Sequence, residues 1–297
     1  MKENKDKLYI FGEVLFDCFP TGEEILGGAP FNVAWHLQAF GDQPTLISRV
    51  GKDSQGTRVL KAMEKWQMDT NAVQVDDENP TGQVDITIDA GEPRYDIAAP
   101  SAYDFITSAQ LSAPPAHGIL YHGTLCLRNQ VSRSTYEKIS HNNKLKIFLD
   151  VNLRSPWWQR EEALAWLKKA HWVKMNQEEL QLLGKHETTS IEEQMAELQT
   201  TYELEQLIVT RGAQGTIIRT AAGDFHSLVP EKNLKIVDTV GAGDAFSAVY
   251  IHGLRSGCSI AESLQHAQKF ASKVIGLRGA TTADLYFYQE FMASISS

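Results

Sequence analysis

Short apolar runs rich in β-branched and aromatic residues recur at positions 8–11, 45–50, 119–121, 147–149, 172–175 and 207–210. Runs of this length, bounded by turn residues, predict strands buried on both faces. Between most of them lie stretches whose apolar residues return at helical spacing: 31–40, 57–66, 133–140, 161–169 and 191–198. Strand and helix therefore alternate, the pattern of an α/β sandwich in which helices cover both faces of a mostly parallel sheet. Positions 245–292 read as mostly helical.

One segment departs from this pattern. Val84, Ile86 and Ile88 alternate with Asp85, Thr87 and Asp89, and the turn Ala90-Gly91-Glu92-Pro93 leads into Arg94-Tyr95-Asp96-Ile97. That is a half-buried hairpin. With 14–19 as a third strand it predicts a small antiparallel sheet beside the main layer, either a lid or an edge extension. Exposed Val84, Ile86 or Ile88 would need a cover, for which a second copy of the chain is one candidate. There is no internal repeat or long linker, so residues 1–297 are expected to form one domain, its insert built from about 14–26 and 81–100.

A chain of 297 residues buries a large core without staples, and 42% apolar with 22% charged residues excludes a disordered chain. The 37 acidic residues outnumber the 28 basic ones, giving a net charge of -9, the wrong sign for nucleic acid or an anionic membrane. Cys18, Cys126 and Cys258 are odd in number and far apart, which gives neither a disulfide framework nor a zinc set. The charged start runs straight into Leu8-Tyr9-Ile10-Phe11 with no signal-like stretch, and a cytoplasmic protein is expected. No metal motif joins the nine histidines, and His122 and His266 are expected in or beside the core. Trp157 and Trp158 are expected to pack.

The stretch richest in chemistry is Asp238-Thr239-Val240-Gly241-Ala242-Gly243-Asp244, which precedes a helical run. Gly241, Ala242 and Gly243 have almost no side chain, so their N–H groups can approach an anion where unpaired donors and the helix dipole favour it. Phosphate is the natural ligand. Asp244 falls in the first helical turn, placed to accept a hydroxyl proton, and a proton acceptor beside an anion cradle is what phosphoryl transfer to an alcohol requires. Taken alone the turn reads equally as a glycine turn with a capping aspartate. A second small-residue turn, Gly27-Gly28-Ala29-Pro30, leads into Phe31-Asn32-Val33-Ala34, opening another helix with Asn32 available to bridge a polyol.

Gly27 to Ala34, with Gly41 and Gly51 beyond, resembles the first signature of the PfkB (ribokinase-like) carbohydrate kinases, and Asp238 to Asp244 resembles the second. Further similarity runs through Gly12 to Asp17, Asp150-Val151-Asn152-Leu153-Arg154, Asn176 to Glu179, and Thr210-Arg211-Gly212 with Gly215. Within the family, Asp150 to Arg154 followed by Trp157-Trp158 looks most like bacterial fructokinases. The resemblance implies a ribokinase-like fold with a β lid. It implies Asp244 as the base that deprotonates a sugar hydroxyl attacking the γ-phosphate of ATP, and Gly241, Ala242 and Gly243 as the anion hole. By the same resemblance Asp17, Gly28 and Asn32 contact the sugar, and Asn176 and Glu179 serve phosphate and Mg²⁺, Glu179 as the metal-side residue. Thr210, Arg211 and Gly212 lie near the nucleotide phosphates. Backbone near Asp238 and Gly279-Ala280 corresponds to the family's monovalent-cation site, which admits K⁺, and relatives often pair through their lids into homodimers.

The expected activity is phosphorylation of a primary hydroxyl of a ketose, with fructose the best guess. 2-Keto-3-deoxygluconate, ribose or a nucleoside-like riboside are the alternatives within the class, and a noncatalytic sugar or nucleotide sensor is the alternative outside it. A sugar acid calls for a cation in the pocket, for which Arg94 and Arg154 are the candidates.

Overall fold

The computed structural model describes residues 6–89, 92–111, 113, 115–184, 190–231 and 236–295. In chain order the strands are β1 (Leu8–Phe11), β2 (Leu15–Cys18), β3 (Glu24–Gly27), β4 (Thr45–Gly51), β5 (Val73–Asp76), β6 (Gly82–Asp89), β7 (Glu92–Ile97), β8 (Gly118–His122), β9 (Leu145–Asp150), β10 (Trp172–Asn176), β11 (Gln206–Thr210), β12 (Thr216–Thr220) and β13 (Phe225–Leu228). The helices are α1 (Ala29–Ala39), α2 (Ser54–Lys65), α3 (Gln130–Ser140), α4 (Arg160–Leu167), α5 (Gln177–Leu183), α6 (Ile191–Thr201), α7 (Ala242–Ser256), α8 (Ile260–Val274) and α9 (Leu285–Ala293).

The large sheet has the order β13-β12-β11-β10-β9-β8-β1-β4-β5. From β11 to β5 every pairing is parallel, and β12 and β13 close one edge antiparallel. Strand β1 shows why the apolar runs lacked alternation. Leu8 and Ile10 join the core that includes Phe31, Phe246 and Phe270 from α1, α7 and α8, while Tyr9 and Phe11 join the opposite core with Tyr136, Trp166 and Leu180 from α3, α4 and α5. Both faces of a parallel strand are thus buried, and successive side chains serve different layers.

The small sheet, ordered β3-β2-β6-β7, corrects one expectation: it is mixed. The hairpin partners β2–β3 and β6–β7 run antiparallel, but the central pair β2–β6 is parallel. Those two strands are separated in sequence by β3, α1, β4, α2 and β5, so no tight turn forces them to oppose. Val84 and Ile86 are 5% and 7% exposed and pack in the same core as Leu15 and Ile97. The chain itself covers them, so they give no argument for pairing through this sheet; the side chain of Ile88 lies outside the described residues. Among the described residues no helix is long and apolar enough to cross a membrane.

Candidate active site

The residues singled out by motif collect at the carboxyl ends of the parallel strands, where open α/β sheets place their ligand crevices. Asp150, Asn176 and Thr210 are the last residues of β9, β10 and β11. Helix α7 starts beside them. Its cap, Gly241, has φ of 78°, and a Cβ there would stand 2.5 Å from the Ala280 Cα, so this turn needs glycine for both conformation and close approach. The preceding Asp238 accepts hydrogen bonds from Val240 N at 3.0 Å and Gly279 N at 3.1 Å, which pins the turn to the segment around Ala280.

Asp244 is the third residue of α7. Asn32 Nδ2 donates to Asp244 Oδ2 at 2.8 Å across 212 residues of sequence, so the two small-residue turns meet at their tips. Burial pushes the Asp244 carboxyl up to about 6; the Asn32 hydrogen bond pulls down, the Asp150 charge pushes up, and Lys174 and Arg154 pull down.

The acceptor side is built on β2 and on the entry to α1. A Cβ on Gly27 would point at Asp17 Oδ2, 3.6 Å away, and at Asn32 Oδ1, 3.8 Å away, so three polar side chains, Asp17, Asn32 and Asp244, line one space kept open by a missing side chain. Gly28 has φ of 104°, and a Cβ there would lie 2.9 Å from Glu13 O; its position is explained by the backbone of Glu13 passing beneath it. Burial also pushes the Asp17 carboxyl up to about 6, against the pull of Arg154. Arg154 acts on Asp17, Glu13 and Asp244 alike. Arg94, the other candidate cation, sits exposed on β7.

Beneath the glycine turn lies a network of which the motifs included Asp150 alone. Lys174 Nζ donates to both oxygens of Asp150 at 3.0 and 2.8 Å, and Ser247 Oγ and Tyr121 OH donate to the same carboxylate at 2.8 and 3.3 Å. Lys174 is 7% and Asp150 4% exposed. A Cβ on Gly243 would lie 3.3 Å from Lys174 Nζ, so a buried cation stands directly under the Gly241–Gly243 turn. A lysine inside the apolar run 172–175 was the signal available, since lysine is almost never buried without a partner.

Asn176 and Glu179 come together as a capping box on α5. Asn176 Oδ1 accepts from Glu179 N at 2.8 Å, Glu179 Oε2 accepts from Asn176 N at 2.8 Å, and Oε1 accepts from Leu153 N at 2.7 Å. Each oxygen of Glu179 therefore accepts one main-chain donor, which fixes the carboxylate at the start of α5 and leaves lone pairs with which it can meet a metal ion or its waters. Among the described residues no group of three acidic, histidine or cysteine side chains is placed to hold a metal ion. Thr210 is the register partner of Asn176 across β10–β11. Arg211 and Gly212 follow in a tight turn closed by Arg211 N to Gly215 O at 2.7 Å, which brings this loop to the same end of the sheet. His122 is fully buried, held by Gly123 O and the Tyr136 hydroxyl. Trp157 packs over the Arg128 guanidinium at 4.5 Å.

The family model described as pfkB family carbohydrate kinase matches residues 5–285. The fructokinase of Klebsiella pneumoniae is 30% identical over 298 residues, spanning 93% of this chain and 95% of that protein, and the fructokinase of Escherichia coli is 29% identical with the same spans. A fructokinase double mutant from Vibrio cholerae O395, in fructose-, ADP- and potassium-bound form, superposes with a TM-score of 0.82 at 25% identity, covering 97% of this chain and 99% of that one. The aminoimidazole riboside kinase of Salmonella enterica shares the fold, with a TM-score of 0.83 at 21% identity over 98% and 100% of the two chains. A ribokinase-like fold shared over nearly the full length, together with a family model that spans all but its ends, makes this chain a member of the pfkB carbohydrate kinases: a sugar kinase, transferring phosphate to an alcohol group.

Proposed function

We propose that the chain phosphorylates a primary hydroxyl of a ketose with ATP, and that the ketose is fructose. The observation that carries this reading is the 2.8 Å hydrogen bond from Asn32 to Asp244, which joins a polyol-contacting turn to a base at the mouth of an anion-binding helix. In the reaction the sugar hydroxyl gives its proton to Asp244 while its oxygen bonds to the γ-phosphorus and the bond to the leaving ADP oxygen breaks. The N–H groups of Gly241, Ala242 and Gly243 meet the charge on the transferring group, with the Lys174 ammonium beneath them adding positive potential. Arg211 and Thr210 lie on the side expected for the nucleotide.

A divalent cation, Mg²⁺ by the chemistry of phosphates, neutralises phosphate charge when bound. The donor set fits an ion carried mainly by the phosphates, with Asn176 and Glu179 meeting it through water. Gly279 N donates to the Asp238 carboxylate at 3.1 Å, which ties these two backbone stretches together, and K⁺ activation through their carbonyls belongs to the same proposal.

The identity with fructokinases, about 30%, supports fructose as acceptor. The test is ADP release with fructose, ribose, 2-keto-3-deoxygluconate and inosine, for the wild type and Asp244→Asn. Highest kcat/KM with fructose, and a loss of about 10²–10⁴-fold in kcat for the variant with sugar affinity retained, is the expected result. A near-wild-type rate for the variant removes the base, and sugar binding without ADP formation by the wild type favours the sensor.

A further inference from the structure

Three polar atoms on buried side chains at this end of the sheet have no hydrogen-bond partner among the described residues: Glu13 Oε2, Asn32 Oδ1 and Arg128 Nη1. Glu13 is 2% and Asn32 4% exposed, and the Arg128 side chain is 5% exposed. Arg128 cannot turn to satisfy itself. Its Nε and Nη2 donate to the two oxygens of Asp104 at 2.7 and 2.8 Å, Nη2 also donates to Ala98 O at 2.7 Å, and the rings of Tyr103 and Trp157 lie against its faces at 5.1 and 4.5 Å.

Glu13 follows β1 after Gly12, and its main chain runs beneath Gly28. A Cβ on Gly82 would touch both the Tyr103 ring, at 2.6 Å, and Val14 O, at 2.9 Å, so the ring that packs on Arg128 neighbours the residue after Glu13. The Glu13 carboxyl is acted on by Arg154, Asp244 and Arg128. The Glu13 main-chain oxygen lies 2.9 Å from where a Gly28 Cβ would stand, next to the Gly27 position that faces Asp17 and Asn32.

We infer that Glu13 is a specificity-determining group of the acceptor pocket, hydrogen-bonding a hydroxyl remote from the one phosphorylated and selecting an uncharged polyol over a sugar acid. This rests on the kinase reading above. A hydroxyl donates and accepts at once, which suits both an unpartnered carboxyl oxygen and an unpartnered guanidinium N–H. An unmet buried carboxyl oxygen is costly, and a ligand that meets it is favoured by that difference. The charges point the same way. Asp17, Glu13 and Asp244 are three carboxyls that share the pull of the Arg154 guanidinium, and the charge of Arg128 is matched by Asp104. Burial pushes the Glu13 carboxyl up to about 7, so near neutrality both its forms exist. Either bonds a hydroxyl, and the ionised one repels a sugar carboxylate.

Glu13→Leu removes charge and hydrogen bond, and Glu13→Gln removes charge alone. With kcat and KM for fructose and 2-keto-3-deoxygluconate, calorimetric fructose affinity and Tm measured for both, Glu13→Leu is expected to raise the fructose KM and Kd about 10–100-fold. Glu13→Gln is expected to narrow the preference for fructose over the acid at least about tenfold. Should Glu13→Leu fail to fold, the Glu13→Gln ratio decides. A fructose Kd within about twofold of wild type in every variant that folds, with an unchanged sugar preference, overturns the inference even if Tm moves. A wild type that turns over no sugar fails the kinase reading instead, and the calorimetric comparison still decides on Glu13.

Discussion

Asp244 is subject to two opposing demands: a base must be ionised to work, yet burial in the cleft floor favours its neutral form. The carboxyl is pushed up to about 6, so the ionised fraction grows as pH rises through 6, and kcat is expected to climb to a plateau above about pH 7. Asn32 donates to the ionised form and lowers that value. Asn32→Ala should therefore move the acidic limb of the kcat profile to higher pH, and a limb that stays or moves lower would remove the coupling. Glu13 offers a stability counterpart. Its folded value of about 7 lies above the ordinary 4.5, so the folded state binds the proton more tightly. The stability it contributes is fully present below pH 4.5 and is lost as pH rises through 7. Glu13→Gln, which does not titrate, is expected to gain stability relative to wild type at pH 8, by at most about 3 kcal/mol and visible as a higher Tm, and to show no such gain at pH 4. Equal Tm differences at both values would contradict the raised carboxyl.

At the scale of elements, two glycines of one turn are expected to fail differently. Gly241→Ala meets Ala280 backbone at 2.5 Å with φ of 78°, so the turn itself must deform, and a loss of roughly 1–3 kcal/mol with reduced kcat should show in thermal unfolding and turnover. Gly243→Ala meets only the end of Lys174 at 3.3 Å, so it should leave Tm nearly unchanged while lowering kcat by displacing the ammonium; a kcat equal to wild type would show that this cation plays no part in transfer. The turn was legible in sequence because glycine, alanine and aspartate at that spacing state their purpose locally, as did the parallel strands, whose apolar runs reflect burial on both faces. Strands β3, β5 and β13 were not legible. They have four residues each and alternate weakly, Gln74 of β5 being buried and polar, so only pairing with neighbours defines them. Lys174 and Ser247 escaped for a related reason: 97 residues separate Ser247 from the motif residue Asp150, and only the register of β9 and β10 with the docking of α7 brings them together.

For the molecule as a whole, what matters is how the small sheet is tied to the large one. Strand β2, carrying Asp17, begins three residues after β1, and β3 runs through Gly28 alone into α1, whose first turn carries Asn32. Any movement of the small sheet over the crevice therefore moves Asp17 relative to Asp244 and changes how much water reaches both. A sugar kinase gains from such closure, because water competes with the sugar hydroxyl for the γ-phosphate. If the small sheet acts as a lid, fructose with a nonhydrolysable ATP analogue should slow amide hydrogen exchange about tenfold or more in residues 15–27 and 82–87, with smaller changes in β8 to β11, already central to a buried sheet. Exchange that slows evenly across the chain, or stays unchanged in those segments while calorimetry shows both ligands bound, would make the small sheet a fixed edge. Water would then have to be kept from the phosphate by the pocket's own walls, Asp17, Gly27 and Asn32 among them, and ADP release without any sugar should be correspondingly fast.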